Sequence, residues 1–215
     1  MHGVEMTFGY LDVVLLIGIS QGIFLALTLS LVRNRNASAN RILSIFLSLS
    51  VVMLVGRLLF VRYGSDMLLY RLGTLVDSIV FLFGPMLYLY CRRLCFAEDP
   101  PFSLPKITYL PAILHLFFVL YTLSFSLEDY YKLSTGGAFR YVYLIIEFCG
   151  LILNTAFVLA SWKVLMHYKG KEGQHLSYRQ PVSRFLSVFL IASSIILLLW
   201  VASITTSYFL TQFYS

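Results

Sequence analysis

Arg57, Asp77 and Glu147 each interrupt an otherwise apolar run. At 1.5 Å per residue, all three fall on the order of 5–10 Å inside one boundary of a bilayer. An ionised side chain costs ~2.5–3.5 kcal/mol at the centre of a membrane helix and less near its ends. Two arrangements offset that cost. One is a structural ion pair that orients three helices; the other is an outward-open polar pocket that binds a small ligand. Gln21 and Asn154 lie deeper along their runs and would floor such a pocket. Asp12 opens the first run from the same side.

Other reactive residue types form no credible active site. Gly18-Ile-Ser20-Gln21-Gly22 fits the G-x-S-x-G spacing of a nucleophile elbow, but that elbow needs a strand-to-helix turn. Here the match falls within an apolar helix, where Gly18, Gly22, Ala26 and Ser30 instead make a small-residue ridge for close helix packing. Cys91 and Cys95 share a helix face, and with Cys149 they are three cysteines, too few for a disulfide framework or a metal quartet. Inert thiols are expected, with palmitoylation as the alternative. His115 is expected to bond a neighbouring helix. No acid, base and nucleophile converge, so the expectation is a non-enzyme without metal or cofactor.

The elements that hold these residues are dictated by composition. Hydrophobic residues make up 59% of the 215-residue chain and charged ones 12%, with mean hydropathy +0.82. A soluble domain carries roughly 25% charged residues. The chain therefore reads as an all-α, polytopic membrane helical bundle of about six spans in a single domain. The expected spans are 10–32, 42–61, 75–94, 107–125, 141–166 and 185–209. The third holds Phe81-Leu-Phe-Gly84-Pro85-Met-Leu-Tyr88, with Asp77 upstream and Arg92-Arg93 downstream. Pro85 lacks an N–H and its ring crowds the carbonyl four residues back. Gly84 and Pro85 thus mark the candidate hinge of a central helix, with a bend or widened turn expected between Phe81 and Tyr88.

The connections carry the topology signal. Of the 16 Lys and Arg residues, five (Arg57, Arg62, Arg71, Lys132, Arg140) fall on one side of the six-span arrangement. The other eleven fall on loops one, three and five. The positive-inside rule then puts the N-terminus outside and, after six crossings, the C-terminus outside too. Segment 62–71 with Gly64-Ser65-Asp66 reads as a short outer turn, and 126–140 with Gly136-Gly137 as a polar loop. Segment 167–184, with His167, His175 and Arg179, reads as the most basic loop. The net charge of +6 is spread over loops, not along one face, so nucleic-acid binding is not expected.

Four segments together resemble a known family. These are Gly18-Ile-Ser20-Gln21-Gly22-Ile-Phe-Leu, Arg33-Asn-Arg35-Asn36 to Arg41-Ile-Leu, Phe81-Leu-Phe-Gly84-Pro85-Met-Leu-Tyr88-Leu-Tyr90, and Tyr109-Leu-Pro111-Ala-Ile-Leu-His115. The chain is similar to the polytopic N-terminal domain of membrane-embedded AraC-type bacterial transcriptional regulators. The resemblance implies a sensory or signal-transducing domain of a bacterial inner membrane. It also implies a further span and a helix-turn-helix domain, neither of which is expected within these 215 residues. The chain therefore reads as either a stand-alone sensor-like domain or a truncated member, and DNA binding is not carried over to it. The expected partners are the bilayer, a small ligand on the outer side and a cytoplasmic or membrane protein. A small transporter and an accessory subunit for assembly are the alternatives.

Overall fold

The computed structural model describes residues 9–32, 36–63, 66–96, 101–135, 138–172 and 180–213. Arg33, Arg35, Gly64, Ser65, Pro100, Gly136, Gly137, His175 and Arg179 lie outside them. The described residues form α1 (Tyr10–Leu31), α2 (Ala37–Tyr63), α3 (Met67–Leu75), α4 (Val80–Cys95) and α5 (Leu110–Thr122). They continue with α6 (Leu127–Thr135), α7 (Ala138–Glu172) and α8 (Gln180–Phe213). Tight 3₁₀ turns at Val76–Ile79 and Lys106–Tyr109 lead into α4 and α5. No strand occurs among the described residues, so the fold is all-α.

Five helices are long and apolar enough to cross a membrane: Tyr10–Leu31, Ala37–Leu59, Gly73–Cys95, Tyr141–Gly170 and Pro181–Thr206. The expected fourth span is a shorter apolar helix, Lys106–Thr122. Large apolar side chains such as Phe24, Phe117 and Leu198 are exposed all round the bundle. In water that surface would be a liability; in hydrocarbon it is the solvated face.

Helices pack in the order α1 on α2, α2 on α4, α4 on α7 and α7 on α8. The Gly73–Cys95 span is the central one, with 44% of its apolar stretch buried against 6–17% in the other four. Close approach of α4 and α7 depends on a glycine from each helix. A Cβ on Gly84 would lie 3.0 Å from the Cα of Asn154, and one on Gly150 3.3 Å from Val80. Further out, a Cβ on Gly22 would lie 2.5 Å from Val51. Gly18 meets Leu54 in the same way, and the buried Ala26 accepts a 2.7 Å hydrogen bond from the hydroxyl of Ser44 through its carbonyl. The small-residue ridge of α1 is thus occupied by α2 of the same chain.

Several boundaries differ from the expected ones, each for a local reason. Asp66 accepts from the amides of Leu68 and Leu69, so α3 starts within the expected outer turn and runs into the central helix. Arg71 is buried and caps the C-terminal end of α5, donating to the carbonyls of Thr122 and Phe125. Its guanidinium also lies 4.9 Å from the centre of the Tyr130 ring. Segment 126–140 is no simple loop. Ser126 and Asp129 exchange capping bonds at 3.1 and 2.6 Å, and α6 follows with Tyr130 buried beneath it. His167 belongs to α7, which continues to Glu172, and α8 already begins at Gln180.

Candidate functional site

Gly56 fixes the charged end of the site. A Cβ there would lie 2.3 Å from a methyl of Val76, so only glycine lets α2 close onto the 3₁₀ turn. The next residue along α2, Arg57, then reaches the next residue of the turn, Asp77, at 3.0 Å. Ser78 follows, buried, with its hydroxyl 2.9 Å from Nδ1 of His115 on α5. Val80 and Gly84 come next, bridged by the side-chain amide of Asn154 on α7. Its nitrogen donates to the Val80 carbonyl at 3.0 Å, and its oxygen accepts from the Gly84 amide at 2.7 Å. The segment where the central helix departs from α geometry is therefore held by side chains from three other helices.

The space beside this segment is a cavity of about 620 Å³, lined by α2, α4, α7 and α8, with His115 of α5 at its wall. Arg57, Asp77, Glu147 and Trp200 gather at one end. The carboxylate of Glu147 accepts from the indole N–H of Trp200 at 3.3 Å. Phe46, Phe83, Leu87 and Val158 line the other end. There Phe46 meets Phe83 edge-on at 5.2 Å and Phe189 of α8 at 6.1 Å. From Phe46 to Arg57 the wall of α2 rises roughly 16 Å. The site is thus an elongated cavity, charged at one end and aromatic at the other.

Four of the five expected pocket residues surround this one cavity: Arg57, Asp77, Glu147 and Asn154. Gln21 does not. It is exposed on α1, which turns Gly18, Gly22 and Ala26 towards α2 and so carries Gln21 away from the bundle interior. Asn154 is also no open polar floor. Both of its N–H donors are engaged, by the carbonyls of Val80 and Gly150, so it braces α7 against α4. Gly84 and Pro85 are buried, and α4 stays α-helical from Phe81 to Tyr88. The loosened turn lies upstream, at Val76–Ile79.

Reasoning from sequence missed three contributors. Trp200 sits in the last span, and an indole N–H inside a membrane helix signals a sought-after acceptor. Ser78 supplies the partner of His115 within the core. Arg62, about 7.5 Å further along α2 than Arg57, forms a second ion pair, 2.7 Å from the buried Asp12, which also accepts from the Gly9 amide. The three cysteines are free thiols, with Cys91 buried and Cys149 exposed. Comparison of the chain with protein-family models, curated proteins and solved structures returns no match.

Proposed function

We propose that the chain is a membrane-embedded sensory or signal-transducing domain, akin to the sensor half of AraC-type membrane regulators. The observation that carries this reading is the position of the cavity against the 3₁₀ turn of the central helix. A ligand seated between α2, α4, α7 and α8 contacts Asp77 and Val80 directly. It changes the packing of a segment whose backbone is already short of regular α geometry.

Both ends of the Gly73–Cys95 span communicate with α2. At the outer end the link is Asp77 to Arg57. At the far end Arg93 donates to the hydroxyl of Ser38 at 2.8 Å and to the Phe102 carbonyl at 2.9 Å. In our reading, ligand binding shifts α4 against α2 and the shift emerges at the basic loops, where a protein partner reads it. Six spans, with Lys106–Thr122 crossing as the fourth, and an outward N-terminus in a bacterial inner membrane complete the proposal.

The test is transmission from one end to the other. The labelling rate of Arg41→Cys, near the Ser38 contact, should change when Asp77→Asn is introduced about 24 Å of helix path away, along either α2 or α4. An unchanged rate would sink the signalling reading. A transporter reading draws on the same cavity and on the charges within it. Flux across proteoliposomes, abolished by filling the cavity with Leu197→Trp, would favour it instead.

A further inference from the structure

The chemistry of the cavity wall narrows what it can hold. Arg57 and Asp77 neutralise each other at 3.0 Å. Glu147 is the remaining carboxylate on the wall, and its partner among the described residues is a neutral donor, the indole of Trp200. No second Lys or Arg lines the cavity among the described residues. The polar end therefore carries an excess of one negative charge, and a carboxylate in such surroundings gains most from a cation that enters with the ligand.

The aromatic groups reinforce this preference. Trp200 and Tyr143 stand on the wall with Glu147. The face of an aromatic ring attracts a cation, tryptophan most strongly, and such contacts recur where alkylated ammonium groups are bound. The rest of the wall, from Val80 and Leu197 to Phe46, is mostly apolar, and its Ser50, Ser193 and Asn154 are already hydrogen-bonded to backbone carbonyls. An inorganic cation would leave that surface empty, and an anionic amphiphile would meet Glu147 unpaired.

We infer that the cavity binds a cationic amphiphile, an ammonium head at Glu147 and Trp200 with its hydrocarbon body extending towards Phe46 and Phe83. This rests on the cavity being the ligand site of the proposed sensor and adds the class of ligand. The ammonium displaces nothing covalent. It supplies the counter-charge that Glu147 lacks, while the Arg57–Asp77 pair stays closed beside it.

The test uses the full chain in a nonionic detergent, carrying Trp162→Phe so that Trp200 is the single indole of the two in the sequence. Decyltrimethylammonium, decyl sulfate and decyl glucoside share one tail and differ in head charge. The cation should change Trp200 fluorescence saturably, with the sulfate and the glucoside binding about tenfold or more weaker. Glu147→Gln keeps the shape of the side chain and should loosen the cation by about tenfold or more while leaving the glucoside unchanged. Leu197→Phe, which fills the cavity without adding an indole, should weaken all three. Equal binding of the sulfate, or of the cation to Glu147→Gln, would overturn the cationic class while the cavity stands as a ligand site. Saturable binding by none of the three probes would overturn the class and the cavity together.

Discussion

The carboxamide of Asn154 closes both ends of one turn of the central helix, accepting from the Gly84 amide at 2.7 Å and donating to the Val80 carbonyl at 3.0 Å. Pro85 follows immediately and brings no N–H of its own. Asn154 thus supports the backbone next to the proline from the outside, as neighbouring helices must where a membrane helix is interrupted. Asn154→Leu removes both contacts and should cost about 1–3 kcal/mol, since a buried polar group is left unsatisfied. Thermal unfolding in detergent measures it. Gly84→Ala presses on the same contact, so the double variant Gly84→Ala/Asn154→Leu should cost less than the sum of the two.

Arg57 and Asp77 form the outer tie of that helix. Each single change, Arg57→Met or Asp77→Asn, strands the other group in the bundle. The double variant should recover stability, with a coupling of about 0.5–3 kcal/mol in a double-mutant cycle. Both side chains are partly exposed, so the lower half of that range is expected. Additive effects would show that the pair contributes no mutual stabilisation.

How far the sequence reveals this site depends on the residue. Arg57, Asp77 and Glu147 were legible because a charge in an apolar run demands a partner, and depth along the helix limits the choice. The small residues of α1 were legible for the same reason, as exceptions to a uniform background. Pro85 misled: the helix is regular around it and the loosened turn lies upstream at Val76–Ile79. Gln21 was not legible, because depth fixes height along the bundle but not which way a helix is turned. Only the seating of Gly22 against Val51 decides that. Arg71 looked like one more loop charge; its burial follows from the carbonyls that α5 leaves open at Thr122 and Phe125, a tertiary fact. The capping pair Ser126 and Asp129 did announce α6, but polar composition masked it.

Arg71 itself makes a stability prediction. Arg71→Met removes the cap from the last turn of α5 and the contact with Tyr130. A loss of about 1.5–3 kcal/mol is expected, the range for bonds to a charged group. Arg71→Lys keeps the charge but not the planar fork, and should fall between the two. Faster amide exchange over Thr122–Phe125 in Arg71→Met would locate the effect; a change spread evenly over the chain would speak against a cap.

Ser38 and Ser134 test the orientation of the bundle. The proposed six crossings would place them on opposite sides of the membrane, Ser38 with the basic loops and Ser134 with Glu128 and Lys132. Single cysteines at each, in a background without Cys91, Cys95 and Cys149, should react with an impermeant maleimide from opposite faces. Reaction of both from one face would remove the proposed six-span arrangement.

Coupling between the cavity and the central helix is measured most directly by amide hydrogen exchange across Val76–Gly84. The full chain in nonionic detergent is compared with and without saturating decyltrimethylammonium. The amides of this segment should exchange several-fold more slowly with the cation present, and the protection should vanish in Glu147→Gln. Saturable binding with exchange unchanged between Val76 and Gly84 would contradict a sensor in which ligand and helix are linked.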